Sequence, residues 1–340
     1  MTKVAFFLMG FLMFAGAVQA DYARSVEALQ NGNYSLAALE LSDLLQQGDP
    51  KAEYLMGFMY YHGMGVVQDY SKAFELFKDA TEKGHIEAQT FLGYLYDEGK
   101  GTAVNKKKAF ELYQKSYEEG DITATINLGV MYYKGDGVPQ NYDKAFELLS
   151  EIEHVDSAIL QLYLGNLYYY GYGVRQNPEK AIDYYLRAAQ LGSVEAHYFL
   201  GHLYQEGRAV QENTAKSVQF YTFAAEKGDP LAQFNLATMY ADGRAGKLDK
   251  VEAYAWLTMA SEQDLKEAQD ALPVLADSMS LSEISAAKTR VLDLKKIDPN
   301  TVVSPIQPVV QTSVTGMTIE GQTTVSAPRS RRSRRMIRRR

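Results

Sequence analysis

The 340-residue chain contains no cysteine. That absence excludes disulfides, thiolate metal sites, thiol nucleophiles and a lipid-modified N-terminal cysteine. Stability must then come from packing alone. Histidine is scarce as well: His62, His85, His154, His197 and His202. The nearest two, His197 and His202, are five apart, which turns them about 140° from each other on a helix. A metal-binding pair needs a spacing of three or four, so no metal site is expected. The acidic residues do not recur in any pairing that suggests a general acid and base. Beyond residue 20 no stretch is apolar enough for the roughly 20 residues that span a bilayer. No catalytic residue, cofactor or small-molecule substrate is therefore expected.

What is present is a strong charge asymmetry. The formal net charge is −7, yet residues 329–340 carry eight arginines and no acid, so −7 less those eight leaves the rest at −15. At the other end, residues 1–20 run from one lysine through an apolar stretch to Val18-Gln19-Ala20. That is the layout of a signal peptide cleaved after Ala20, and it predicts a periplasmic or secreted protein.

Between these ends lies a period of 36. Gly57, Gly93, Gly129, Gly165 and Gly201 fall at that spacing, with Ala237 in the sixth place. Counting this column as position 0, +3 is always tyrosine (Tyr60, Tyr96, Tyr132, Tyr168, Tyr204, Tyr240). Position +6 is always glycine (Gly63, Gly99, Gly135, Gly171, Gly207, Gly243). Ala at −5, Leu or Met at −1 and +2, and Tyr at +3 make an apolar stripe on a first helix. Glycine at 0 costs about 1 kcal/mol of helix propensity, which implies that a neighbouring helix comes too close for a side chain. Glycine at +6 ends the helix in a left-handed cap.

A second helix opens on Asp69, Asn105, Asn141, Asn177, Asn213 and Asp249, read as N-caps. Ala73, Ala109, Ala145, Ala181, Ser217 and Ala253 follow. Four residues further on stand Phe77, Tyr113, Leu149, Tyr185, Tyr221 and Leu257. The next first helix is capped by Asp49, Asp121, Ser157, Ser193 and Asp229, with His85 a poor cap in that column. The G-x-G-V loops follow helices rather than strands and lack a Gly-Lys-Ser/Thr ending, so they read as caps and not as phosphate loops.

The recurring A-x-x-x-L-G-x-x-Y-x-x-G-x-G-V, then N/D-x-x-K-A-x-x-x-Y-x-x-A-A-x-x-G, resembles the Sel-one-like repeat (SLR) family, relatives of the tetratricopeptide repeat. The resemblance implies an all-α, right-handed solenoid of antiparallel helix pairs. It spans residues 50–265 as six repeats, after a degenerate helix pair over residues 21–49. Residues 266–297 resemble the C-terminal capping helices of bacterial members, and Ser280 and Glu283 have capping-box spacing. Three departures stand out: Asp156 for the closing glycine of the third copy, Leu160 for the small residue at −5, and Ala209 and Ala245 in the loops of the last two copies. Residues 298–328, rich in Pro, Thr, Val, Ser and Gln, are expected to be a disordered linker to the arginine-rich tail.

Function is expected where the repeats differ. In tetratricopeptide-type solenoids the concave groove is lined by first-helix positions that correspond to −3, +1 and +4 here, which share one face. These positions supply Tyr54, Phe58, Tyr61, Tyr94, Tyr133, Tyr169, Tyr198, His202 and Phe234. Aromatic residues with a polar tip are favoured anchors for a protein or peptide partner, although −3 can also be core against the next repeat. The expected function is a non-enzymatic interaction scaffold of the bacterial envelope. A second reading gives the work to Arg331, Arg332, Arg334, Arg335, Arg338, Arg339 and Arg340. They would hold an anionic envelope surface or nucleic acid by charge, without reading sequence, and so tether the protein or act after delivery to a host. Some relatives of the family have been linked to cell-wall or β-lactam chemistry, a third and remoter expectation.

Overall fold

The computed structural model describes residues 21–301, and residues 318–319 and 322–323, which pair as a short antiparallel ladder. The expected signal peptide, the arginine tail and most of the 298–328 segment lie outside the described residues. Within that segment Pro299–Thr301 forms one 3-10 turn.

The described residues form sixteen α-helices. They are α1 (residues 21–30), α2 (Tyr34–Gln46), α3 (Pro50–His62), α4 (Tyr70–Glu82), α5 (Ile86–Glu98), α6 (Lys106–Glu118) and α7 (Ile122–Lys134), then α8 (Tyr142–Glu151), α9 (Ala158–Tyr170) and α10 (Pro178–Gln190). The last six are α11 (Val194–Glu206), α12 (Thr214–Glu226), α13 (Pro230–Ala241), α14 (Lys250–Ser261), α15 (Lys266–Asp277) and α16 (Leu281–Leu294). Two compact units result, one holding α1–α7 and the other α8–α16. In each, consecutive helices pack as hairpins, the all-α architecture that the period predicts.

The helix ends follow the sequence columns. Asp69, Asn105, Asn177, Asn213 and Asp249 each accept a hydrogen bond from first-turn amides, as do Asp49, Asp121, Ser157, Ser193 and Asp229. His85 also caps, its Nδ1 accepting from the Ala88 amide at 3.3 Å. Burial lowers its pKa and so favours the neutral ring that this bond requires. Ser280 and Glu283 complete a capping box.

The glycine at position 0 is explained by its own repeat. A methyl group on Gly165 would stand 2.6 Å from the Tyr185 ring, and one on Gly201 2.7 Å from the Tyr221 ring. The second helix thus presses an aromatic ring onto bare backbone, worth more than the propensity it sacrifices. Where Ala237 takes the column, the facing residue is the smaller Leu257.

A second device recurs. In repeats one, two, four and five the lysine three residues after the second-helix N-cap lies over the +3 tyrosine: Lys72 over Tyr60 at 5.1 Å, Lys108 over Tyr96 at 4.4 Å, Lys180 over Tyr168 at 4.3 Å and Lys216 over Tyr204 at 4.8 Å. Lys108 and Lys180 also donate to the tyrosine hydroxyls at 2.6 and 2.7 Å. Repeats are joined edge to face, Phe74 on Tyr96, Phe110 on Tyr132 and Phe146 on Tyr168. At the sixth copy the lysine becomes Glu252, which accepts from Arg290 Nε of α16 at 2.6 Å. One change of sign in the column turns a contact between repeat helices into the seat for the terminal helix. Trp256, Leu257, Val291 and Leu294 close the core there.

Lacking the closing glycine, α8 stops after ten residues. Gln161 then holds the connecting loop by donating to the carbonyls of Glu153 and Val155, both at 2.9 Å. Leu160 is fully buried. Ala209 adopts φ 60°, the left-handed conformation its glycine counterparts take.

Candidate functional site

The −3, +1 and +4 strip is not equally exposed along the chain. In the first repeat it is closed. Tyr54, Phe58 and Tyr61 are 9%, 4% and 1% exposed, which corrects the expectation that they line an open groove. The cause is an aromatic cluster shared with the second repeat. Phe77 stacks on Phe91 at 4.8 Å, Tyr54 stacks on His85 at 4.8 Å, and Phe58 meets Phe91 edge-on at 5.8 Å. The Tyr61 hydroxyl takes a hydrogen bond from Lys100 Nζ at 2.5 Å and lies 3.2 Å from the Tyr94 hydroxyl. Lys100 lies over the rings of Tyr61, Tyr70 and Tyr94, so a cation from this chain already occupies that cluster.

Position −3 stays buried in the next three copies, as Thr90, Ile126 and Leu162, all at 6% exposure or less. The remaining strip of the first unit is half-buried: Tyr94, Asp97, Val130 and Tyr133. Asp97 is engaged by Lys106 Nζ at 2.8 Å.

The second unit differs. Tyr169, Tyr198, His202, Gln205, Phe234 and Thr238 are all half-buried, so each shows part of its surface to solvent. Beside them Tyr170 is 44% exposed. Tyr169 meets Tyr170 edge-on at 4.9 Å, Tyr170 stacks on Tyr172 at 5.2 Å, and Tyr172 stacks on Tyr142 at 4.2 Å. Burial, and then the neighbouring tyrosines, push the Tyr170 hydroxyl up, so Tyr170 presents a neutral ring and a hydroxyl donor.

Two residues met in the sequence, one on the strip and one a candidate metal ligand, turn out to be buried. Asn166, at +1 in the fourth repeat, is buried and its Oδ1 accepts from the Tyr185 hydroxyl at 2.7 Å. His197 belongs to the core and not to any site. It is fully buried, stacks 3.8 Å from Phe223, and has Nδ1 2.7 Å from the Ser193 carbonyl. Burial lowers its pKa to about 4, so the ring is neutral and Nδ1 is the donor. The periodic signal was available in this case, because the same column holds Gln89, Gln161 and Gln233.

Among the described residues no group of three or more His, Cys, Asp or Glu side chains could hold a metal ion, and no helix is long and apolar enough to cross a membrane. The arginines named above lie outside the described residues. The half-exposed strip of the second unit is made mainly of aromatic, amide, hydroxyl and histidine side chains.

The Sel1 repeat model matches residues 50–85, 86–121, 122–151, 158–193, 194–229 and 230–265. The third match ends where α8 does. Among solved structures, a protective antigen of uropathogenic Escherichia coli that displays an SLR fold is 28% identical, with a TM-score of 0.62. The match covers 83% of this chain and 62% of that one, so the chain spans less than two thirds of its length. A Sel1 repeat protein from Oxalobacter formigenes is also 28% identical at a TM-score of 0.62, over 71% of this chain and 96% of that one. No curated protein matches the chain. Sel1 repeat proteins are typically non-enzymatic scaffolds that bind protein partners. With six repeats matched over most of its folded length, this chain belongs to the Sel1 repeat family.

Proposed function

We propose that the protein is an exported, non-catalytic scaffold that binds a protein or peptide along the open part of its variable strip. The observation that carries this reading is the half-exposed row Tyr169, Tyr198, His202 and Phe234, next to the exposed Tyr170. These side chains occupy positions that the repeat does not dictate, and they are large; Tyr169, Tyr198 and His202 also carry a polar tip. Such residues supply most of the energy of protein recognition, about 2 kcal/mol or more each at a hot spot. A stack of repeats that touch only their neighbours leaves a long face free for an extended partner.

The test is crosslinking in the native cell followed by mass spectrometry, with wild type compared against Tyr169→Ala/Tyr198→Ala/Phe234→Ala. Loss of a captured partner, with helix content unchanged by circular dichroism, supports the reading; identical capture sinks it. Export rests on the layout of residues 1–20. Its check is fractionation with N-terminal sequencing, which should begin at Asp21.

The charge asymmetry favours a second reading, in which residues 329–340 tether the protein to an anionic envelope surface. Deleting those residues should release the protein from the envelope fraction in a salt-sensitive manner. Unchanged retention would rule that reading out.

A further inference from the structure

Position +7 of a repeat lies against the first residue of the second helix before it. Where the first repeat meets the second, that residue is Lys100, whose Nζ is 5.0 to 5.7 Å from the ring centroids of Tyr61, Tyr70 and Tyr94. One repeat on, the signs are exchanged: Asp136 stands at +7, and Lys106 Nζ is 2.8 Å from Asp97 and 3.9 Å from Asp136. Both junctions hold a lysine among the groups that attract it. In the fourth repeat the +7 residue is Tyr172, which stacks on Tyr142 at 4.2 Å.

From Tyr172 the aromatic run continues outward through Tyr170 to Tyr169. Tyr170 stands at +5, where the other copies have His62, Glu98, Lys134, Glu206 and Asp242. In the fifth and sixth copies +5 pairs with an arginine at +7, Glu206 with Arg208 at 2.9 Å and Asp242 with Arg244 at 2.7 Å. The fourth copy has two stacked tyrosines in place of such a pair, and the outer one is 44% exposed. The fold does not require a ring there, because five other copies close the same turn without one. Burial first, and then Tyr169, Tyr172, Tyr198 and Glu195, raise the pKa of Tyr170, so a carboxylate and the strip's Tyr198 lie within electrostatic range of its ring. Over the third to fifth copies, residues 122–229, thirteen acidic residues face eight lysines and arginines, a surrounding that attracts cations.

We infer that the surface around Tyr170 is the docking site of the chain's own arginine tail, residues 329–340. A guanidinium is planar and weakly hydrated, and it lies flat on an aromatic face. The tail carries eight of them and no acid. It would bring to Tyr170 from outside the kind of contact that Lys100 makes with Tyr61, Tyr70 and Tyr94 from within. An acidic segment would be repelled by the same surroundings, and an aliphatic one would gain nothing from the charge on the ring face.

The tail is long enough to reach. Near the end of the described chain the Pro299 carbonyl accepts from Lys227 Nζ, and Lys227 closes α12. Tyr170 ends α9, and α9 to α12 pack in succession within the second unit. Three helix spacings separate the two points by about 30 Å across, and one helix length by about 20 Å along. Residues 302–328 span about 90 Å when extended. A tether of that length also holds its end near the site at an effective concentration in the millimolar range, so contacts too weak to join separate molecules are populated. Docked there, the tail lies at the edge of the strip beside Tyr198. The inference does not rest on the strip being a binding face.

The test compares the full chain with a chain that ends at Pro328, both with tyrosine rings labelled for NMR. Tyr170→Phe identifies the Tyr170 signals. Removing the tail should shift them. Adding a synthetic peptide of residues 329–340 to the shortened chain should restore them, with saturation and with an affinity that falls as salt rises. Tyr170→Leu keeps hydrocarbon but loses the aromatic face, so it should weaken the peptide about fivefold, whereas Tyr170→Phe should bind it within about twofold of wild type. A peptide with every arginine replaced by glutamine should leave the signals unmoved.

The inference is overturned if removing the tail leaves the Tyr170 signals in place. It is also overturned if Tyr170→Leu, with unchanged circular dichroism, binds the peptide as wild type does, because the tail would then sit elsewhere on the acidic surface. A shift that disappears on dilution of the full chain would assign the tail to a second copy and overturn docking within one chain. None of these readouts depends on the partner captured through Tyr169, Tyr198 and Phe234, so the tail site and the strip stand or fall separately.

Discussion

The first and fifth repeats share the glycines at 0 and +6 and the tyrosine at +3, and put the strip between them to opposite use. In the first, positions −3, +1 and +4 are Tyr54, Phe58 and Tyr61 over the hydrocarbon floor of Phe77, and all four are buried. In the fifth the same positions are Tyr198, His202 and Gln205, half-exposed over the hydroxylated floor of Tyr221. The first is sealed because its neighbour presents Phe91, Tyr94 and Lys100. In the fifth, the corresponding residues of the adjoining repeat, Phe234 and Thr238, are themselves half-exposed. A repeat's backbone therefore sets where a surface runs, and two or three side chains on the adjoining repeat decide whether that surface is core or site.

The largest expected effect lies in the sealed region. Phe77 stacks on Phe91 and meets Tyr54 at 5.9 Å, so Phe77→Ala empties the centre of a dry cluster. We expect a loss of about 4 kcal/mol in urea unfolding. A loss below about 1 kcal/mol would mean the cluster is not the closed core described here.

Next in size is a pH effect carried in the second unit by His197. Below pH 6.5 an unfolded chain protonates His197, whereas in the folded state the pKa is about 4. Lowering the pH through that window should therefore cost stability, up to about 3 kcal/mol by pH 4. In the first unit Asp121, raised by burial to about 6, contributes in the opposite sense, because its charge is what burial penalises. The variant His197→Gln, the residue its column holds in three other repeats, isolates the histidine: its stability should fall less steeply between pH 7 and 4. An identical slope would show that His197 does not carry the effect.

Much of this fold was legible from the chain alone. The period placed the helix pairs, and the Asp, Asn and Ser caps did what their side chains can do locally. Capping and glycine ends depend on residues within one turn, so a linear reading captures them. Burial of the strip does not, since Tyr61 is closed off by a lysine 39 positions away. The lysine–tyrosine column was within the repeat consensus, yet its function became clear only where Glu252 breaks it and Arg290 answers. Likewise the Tyr221 hydroxyl is unremarkable in sequence and matters only because Asn166 shows what it lacks.

A smaller difference is expected at position 0. Gly165 and Gly57 read alike in the sequence, but a methyl group would stand 2.6 Å from Tyr185 in one case and 3.0 Å from Phe77 in the other. Overpacking at the tighter site should outweigh the gain of about 1 kcal/mol in helix propensity, and at the looser site the two should nearly cancel. Gly165→Ala is therefore expected to lower stability by about 1 to 2 kcal/mol and Gly57→Ala by less than half of that. Equal losses would mean that the second helices sit at one distance in both repeats.

The smallest effect is the most discriminating, because it compares two tyrosines with the same ring, burial and column. Tyr185→Phe removes the donor that satisfies Asn166 Oδ1 inside the protein, and the stranded carboxamide should cost about 1 to 2 kcal/mol. Tyr221→Phe removes a hydroxyl that has no partner, so it should be neutral, or stabilising by a few tenths of a kcal/mol. The two rings bury the same hydrocarbon, so any difference between the variants reports the hydroxyl's partner and not the packing. If Tyr221→Phe cost as much as Tyr185→Phe in the unliganded protein, its hydroxyl would already be satisfied at rest. The fifth repeat would then be one more satisfied floor, like the fourth.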